Sequence, residues 1–175
     1  MNRIFLIGYM CSGKTTLGKL LAKELQADFI DMDWYIEQRF HCTVRDIFAE
    51  RGEDGFRKIE QNILHEVGEF ENVFIATGGG TPCFFGNMEW MNAHGDTVFL
   101  QTSEDTLFRR LQSGKQTRPI LMNKTDEELR SFIVEALKAR MPFYSQAKYC
   151  FIADELESHE QIMESVKRFR TMLNL

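Results

Sequence analysis

No apolar run in the 175-residue chain approaches the roughly twenty residues that a membrane-spanning helix needs. The opening stretch MNRIFLIGYMCSGKTT holds only a short apolar segment before its first glycine, too short for the hydrophobic region of a secretory signal. Cysteine is sparse. Cys11, Cys42, Cys83 and Cys150 are spread along the chain and form no C-x-x-C pair. That argues against a disulfide framework or a zinc site and for reduced thiols in a cytoplasmic protein. Positive charge is in deficit, with 21 Lys and Arg against 26 Asp and Glu and a net charge of -5. Non-specific binding to nucleic acid or to an acidic membrane surface is therefore not expected. A small anionic ligand stays possible, because a few arginines focused in a cleft can bind one on an acidic protein. There is no internal repeat, low-complexity tract or Pro/Gly-rich linker, so residues 1–175 read as one domain, expected to act as a monomer. With 43% hydrophobic and 27% charged residues, the chain has enough apolar material for one sizeable core.

Short apolar runs alternate with longer helical patterns. Arg3–Ile7, Asp28–Asp31, Asn72–Thr77, Thr97–Gln101 and Tyr149–Ile152 read as strands. Between them lie helices over Thr15–Leu25, from Thr43 to about Glu50, over Glu53–Phe70, from about Glu104, from Thr125 or Asp126 to about Tyr144, and from Ser158. Strands that are apolar throughout and separated by helices indicate βαβ units, hence an α/β fold: a five-stranded parallel sheet with helices on both faces in three layers. Ligands in such sheets bind outside the carboxyl ends of the strands, and the polar punctuation falls there: Gly8–Thr15, Asp31 with Asp33, and Gly78–Gly80. The long polar segment 112–125 breaks the preceding helix and reads as a mobile lid over a nucleotide.

The strongest signal is Gly8-Tyr9-Met10-Cys11-Ser12-Gly13-Lys14-Thr15, a match to G-x-x-x-x-G-K-[ST] that follows a strand and opens a helix. Its glycines let backbone N–H groups turn toward phosphate oxygens, Lys14 brings a cation to the β- and γ-phosphates, and the Thr15 hydroxyl suits Mg²⁺. The plainer alternative is a chance glycine turn. A small GTPase also competes, because Asn123-Lys124-Thr125-Asp126 matches N-K-x-D. No D-x-x-G occurs, however, and the tetrapeptide runs straight into a helix. It reads better as an N-cap, with Thr125 or Asp126 capping and Glu127 and Glu128 in the first turn.

Gly8–Gly18, Asp31-Met32-Asp33, Phe56-Arg57-Lys58-Ile59-Glu60, Gly78-Gly79-Gly80, Arg118-Pro119-Ile120-Leu121 and Arg140 with Tyr144 together resemble shikimate kinase, over nearly the whole chain and in the right order. The resemblance implies transfer of phosphate from Mg-ATP to shikimate, giving shikimate 3-phosphate in aromatic amino-acid biosynthesis. It implies that Gly8, Cys11, Ser12, Gly13, Lys14, Thr15, Thr16, Arg110 and Arg118 contact ATP, with Arg109 an equal candidate to Arg110 at the adenine. Thr15 and Asp31 would serve Mg²⁺. Asp33 would hold the substrate hydroxyls and accept the proton of the attacking one, Arg57 and Arg140 would clamp the carboxylate, and Gly78–Gly80 would let backbone approach the substrate. Substrate-binding helices would span about 33–62. Lys14, Asp33 and Arg118 would be the catalytic set, with Arg118 closing over the moving charge. Taken one by one, plainer readings stand beside these: a helix cap for the aspartates, surface ion pairs for the arginines, a tight turn for the glycines. Cys11 stands where the family loop usually has glycine, which the general P-loop pattern allows. It opens a redox reading beside that of a small inert side chain. Phe84-Phe85 reads as core or substrate-domain packing. The rivals are a gluconate or nucleoside monophosphate kinase of similar fold and a non-catalytic nucleotide-binding module.

Overall fold

Successive residues of a strand point to opposite faces, and Ile4–Ile7 and Val73–Ala76 are apolar at every position. They must therefore be covered twice. In the computed structural model, which describes residues 3–113 and 124–175, that is how they sit. Strands β1 (Ile4–Ile7), β2 (Asp28–Asp31), β3 (Val73–Ala76), β4 (Asp96–Gln101) and β5 (Tyr149–Ile152) form one five-stranded sheet in the order β2-β3-β1-β4-β5. Every pairing is parallel, with Ile4 of β1 opposite Phe74 of β3 and Asp96 of β4. All residues of β1 and β3 are buried. The edge strands β2 and β5 are partly exposed, so "apolar throughout" holds for the centre of the sheet and not for its margins.

Residue parity decides which helices cover which face. Ile4, Leu6, Phe74, Val98 and Leu100 pack with α1 (Lys14–Glu24) and α7 (His159–Leu173). Phe5, Ile7, Val73, Ile75 and Phe99 pack with α2 (Met32–Phe40), α3 (Val44–Val67), α4 (Asn87–His94) and Tyr144. A third cluster joins Tyr9 to Leu107, Phe108 and Leu111 of α5 (Glu104–Ser113) and to Leu129 and Ile133 of α6 (Asp126–Tyr144).

Three helices begin with reciprocal capping boxes, Thr43 with Asp46, Thr125 with Glu128 and Ser158 with Gln161, each cap worth about 1 kcal/mol. Thr125, not Asp126, is the cap in the N-K-T-D stretch. The break expected between two helices around Glu50–Glu53 is there: α3 is interrupted by the non-helical backbone of Gly52 (φ 67°, ψ -176°), a conformation that glycine adopts without side-chain strain. α4 is absent from the sequence reading. Its N-cap Gly86 (φ 69°) offers no side-chain bond, and Asn87–His94 has little amphipathic contrast, yet Met88 and Met91 are buried. Phe84 and Phe85 are not core: Phe84 is half-buried and Phe85 is 54% exposed. The boundaries of the expected lid are also corrected, since Gln112 and Ser113 still belong to α5 and Thr125 caps α6. Residues 114–123, with Arg118 among them, lie outside the described residues. No helix among the described residues is long and apolar enough to cross a membrane.

Candidate active site

The loop between β1 and α1 reverses the chain in a few residues, and its backbone shows the cost. Gly8 and Gly13 adopt φ of 144° and 99°. A Cβ on Gly8 would lie 2.9 Å from the Leu100 carbonyl oxygen, and one on Gly13 would meet Leu156 at 2.3 Å. Cys11 has φ 62°, in the left-handed region that glycine enters freely and other residues at a cost of about 1 kcal/mol. That is a physical reason for the glycine the resembling family carries there. Lys14 folds back over the loop and donates to the carbonyls of Gly8 (2.8 Å) and Tyr9 (2.9 Å). Burial pulls its ammonium down to about 8, against the opposing pull of Asp33 and Asp31. Cys11, Gly13, Lys14, Thr15, Thr16, Arg110 and Leu156 line a cavity of about 350 Å³ at the start of α1. Ser12 faces away from it and is buried.

Arg110 belongs to this cavity, but its guanidinium is tied down. It donates to the carbonyls of Cys11 (3.2 Å), Ala153 (3.1 Å) and Asp154 (3.0 Å) and to Glu157 (2.7 Å). It therefore braces the phosphate loop against the β5–α7 connection. Arg109 turns to Thr106 (3.0 Å) and stays exposed.

At the end of β2, Asp31 does two jobs. One carboxylate oxygen accepts from the Thr15 hydroxyl (2.8 Å), and the other accepts from the Trp34 N–H (3.4 Å) and caps α2. A hydroxyl and a carboxylate set side by side at the phosphate cavity are oxygen donors of the kind a hard divalent cation takes, so the residues present fit one. Asp33 sits in the first turn of α2 and does not cap it. Its carboxyl opens onto the cleft, where water reaches it, but the walls crowd it. That enclosure first, then Asp31 and Glu60, push it up to about 6 despite Lys14.

Asp33, Arg57, Glu60, Gly78–Gly80 and Arg140 line a second cavity of about 180 Å³, closed on its apolar side by Met10, Val44, Phe48 and Phe56. Arg57 is braced from several sides. Its Nη1 donates to Glu60 (2.8 Å) and its Nη2 to Glu53 (3.4 Å), while the ring of Phe84 lies 4.4 Å from its guanidinium carbon. Glu60 is 1% exposed and also accepts from Thr81 (2.6 Å). The Nε of Arg57 is buried with no hydrogen-bond partner among the described residues. Arg140 rests over the Tyr9 ring at 5.2 Å and has no carboxylate partner among the described residues. The three glycines make room for these groups. A Cβ at Gly78 would meet Glu60 at 2.6 Å, at Gly79 Arg140 at 2.9 Å, and at Gly80 both terminal nitrogens of Arg57 at 2.7 Å. The same position on Gly79 is 3.4 Å from the Gly8 carbonyl, so this residue sets the second cavity against the phosphate loop. Tyr144 fixes it by donating to its carbonyl, and burial pushes that phenol well above its usual range.

The structure thus places most of the expected site residues that it describes around the two cavities, while the Ser12 side chain is buried away from the phosphate cavity and Arg109 turns to Thr106. The sequence reading missed the supports: Thr81 on Glu60, the Phe84 ring on Arg57, Tyr9 beneath Arg140. Two supports carried a signal: Tyr144, noted beside Arg140, and Glu60, which the resemblance implies as the buttress of Arg57 and which holds it at 2.8 Å. The plainer readings of Asp33 as a cap and of Arg140 as a surface ion pair do not match the geometry. Arg57 does pair with Glu60, but inside the cavity.

A phosphate loop abutted by the glycine wall of a separate pocket holding an acid and two guanidinium groups is what a small-molecule kinase of the P-loop class requires. A family model described as shikimate kinase matches residues 10–170, and the shikimate kinase of Phocaeicola vulgatus is 63% identical over 174 residues, 99% of each chain. The chain belongs to the shikimate kinase family, and its activity is the ATP-dependent phosphorylation of shikimate. Solved structures agree. The 1.7 Å crystal structure of shikimate kinase from Bacteroides thetaiotaomicron is 61% identical, with a TM-score of 0.97 and 99% of both chains covered. That of the Acinetobacter baumannii shikimate kinase in complex with shikimate is 31% identical, with a TM-score of 0.83, covering 99% of this chain and 94% of that one.

Proposed function

We propose that ATP lies with its phosphates in the cradle of Gly8–Thr16 and that shikimate lies in the smaller cavity, its carboxylate between Arg57 and Arg140 and its reacting hydroxyl at Asp33. The observation that carries this reading is that Asp33, Arg57 and Arg140 line one cavity whose glycine wall adjoins the phosphate loop. Arg57, whose guanidinium lines this cavity, and Arg140, which meets no carboxylate among the described residues, are the donors a carboxylate needs. Asp33 orients the hydroxyl and takes its proton as the oxygen attacks the γ-phosphate. Phosphoryl transfer asks mainly for positioning and charge stabilisation, so the held geometry contributes most. Lys14 gives up its bonds to the Gly8 and Tyr9 carbonyls and turns them on the phosphates, which return it to full charge. Mg²⁺, when bound at Thr15 and Asp31, neutralises phosphate charge. Arg118 stabilises the moving charge from the segment outside the described residues.

The protein is read as a monomer, and its four cysteines form no disulfide, in keeping with a reducing cytoplasm. The test is ADP release with ATP over a panel of shikimate, gluconate and nucleoside monophosphates, with and without Mg²⁺. Turnover with shikimate alone, dependent on the metal, is expected. Turnover with gluconate or a nucleotide, or undiminished turnover after chelation, would overturn the assignment.

A further inference from the structure

Three side-chain oxygens crowd the face of Gly78. A Cβ placed there would lie 2.6 Å from Glu60 Oε1, 3.0 Å from Thr81 Oγ1 and 3.3 Å from Asp33 Oδ1. Two of the three belong to carboxyl groups, and Glu60 is buried where water gives its charge almost no help. The fully buried Thr81 hydroxyl donates to Glu60 Oε1 at 2.6 Å. The other oxygen, Oε2, accepts from Arg57 Nη1 at 2.8 Å. With a donor at each oxygen the plane of the Glu60 carboxylate is fixed, and so is the guanidinium that meets it.

Thr81 is itself held. It opens a single 3₁₀ turn, Thr81–Cys83, that contains Pro82. Its N–H donates to the Gly78 carbonyl (3.1 Å), and the buried Asn87 side chain donates from Nδ2 to its carbonyl (2.9 Å). Yet Thr81 lines neither the substrate cavity nor the phosphate cavity.

We infer that Thr81 is a positioning residue for the phosphorylation of shikimate: its hydroxyl, acting through Glu60, sets the angle at which Arg57 meets the substrate carboxylate. The inference rests on the proposed placement of that carboxylate at Arg57. Without the hydroxyl, Oε1 is left buried beside Gly78 with no donor among the described residues, on the side where Asp33 Oδ1 also lies. A buried carboxylate in that position turns toward a remaining donor, and the Arg57 guanidinium already lies against its other oxygen. Glu60 then takes more of the guanidinium for itself and draws it away from the cavity.

The test replaces the hydroxyl by a methyl of similar size. In Thr81→Val, KM for shikimate should rise about tenfold, with kcat and KM for ATP within about twofold of the wild type. Thr81→Ser keeps the hydroxyl and loses the methyl, so its KM for shikimate should stay within about twofold of the wild type. A role in packing alone predicts the reverse order, with Ser the worse of the two because it leaves a void. On an Arg57→Lys background, Thr81→Val should raise KM by no more than about a further twofold, because the group it acts through is gone. A crystal structure of Thr81→Val should show the Glu60–Arg57 contact rearranged. An unaltered KM in Thr81→Val, equal losses in Val and Ser, or a full tenfold loss on top of Arg57→Lys would overturn the inference while leaving Arg57 as the clamp. An unaltered KM in Arg57→Lys itself would overturn the placement of the carboxylate, and this inference with it.

Discussion

The two halves of the active site hold their charges in opposite ways. On the nucleotide side the cations are satisfied mainly by the protein's own backbone: Lys14 by the Gly8 and Tyr9 carbonyls, Arg110 by those of Cys11, Ala153 and Asp154 together with the exposed Glu157 carboxylate. On the proposed reading a phosphate displaces Lys14 from its carbonyls, because it carries far more charge than they do. On the acceptor side Arg57 is locked by a buried carboxylate that is itself locked by Thr81, and Arg140 lies on the Tyr9 ring with no acid beside it among the described residues. That half is built in advance, with the guanidinium edges left for a planar anion. Pre-ordering of this kind improves binding by removing the cost of arranging side chains on arrival. It also makes the acceptor half the less forgiving of the two.

The sharpest way to break the comparison is Asp33→Asn. The amide keeps the shape of the cavity and loses the negative charge and the proton acceptor. We expect kcat to fall about 10²–10⁴-fold, with circular dichroism and ATP affinity retained. A fall of less than about fivefold, near 1 kcal/mol, would show that a neutral group positions the hydroxyl equally well. Next is Arg57→Lys. A lysine cannot reproduce the fork that reaches Glu60 and the substrate together, so KM for shikimate should rise about 10²-fold, or 2.7 kcal/mol. KM for ATP should stay within about twofold, because the nucleotide half is independently satisfied. Equal losses for both substrates would mean that the halves are one cooperative unit.

The same contrast explains what the sequence discloses. The nucleotide half is made by consecutive residues, Gly8–Thr15, and a loop of that kind is a local pattern that can be read from the string. So is the sheet, whose apolar strands alternate with helices, and so are the caps at Thr43, Thr125 and Ser158. Arg57 and Arg140 are 83 positions apart in the numbering, and nothing local says that they meet. Only resemblance put them in one pocket. Their supports were less legible still. Tyr9 looks like any residue of the P-loop, and its ring beneath Arg140 depends on where α6 lies. Phe84 looks like core because it is apolar, yet it stands half-buried against a cation. α4 was missed because its start is a glycine and its burial depends on two methionines rather than on a full apolar stripe.

Proton concentration should separate the halves less strongly than Arg57→Lys does. Enclosure holds the Asp33 carboxyl at about 6, above the roughly 3.9 of a free aspartate. As pH falls through 6 the acceptor is lost, so kcat/KM for shikimate should drop about tenfold at pH 5 relative to pH 7. Stability moves the other way. The fold binds this proton more tightly than the unfolded chain does, so the contribution is complete below about pH 4 and is lost as pH rises through 6. Between those values the wild type should lose more of its Tm than Asp33→Asn does. An acid limb centred near 4, with parallel Tm curves for the two proteins, would show that the carboxyl is as free as in water.

The smallest effect tests the fit of the acceptor half alone. Gly80 has φ -92°, which any residue adopts, so Gly80→Ala adds no backbone strain and its effect is purely one of contact. The new methyl would sit 2.7 Å from both terminal nitrogens of Arg57. The guanidinium cannot simply retreat, because Glu60 holds it at 2.8 Å and the Phe84 ring lies 4.4 Å away. It must shift by a few tenths of an ångström along its own plane and carry its free edge with it. We expect KM for shikimate to rise about fivefold, near 1 kcal/mol, with kcat and KM for ATP unchanged. Arg57→Lys combined with Gly80→Ala should then be no worse than Arg57→Lys alone, since a lysine has no fork for the methyl to displace. Additive losses in that double variant would mean that the third glycine serves the substrate directly, and that Arg57 is only its neighbour.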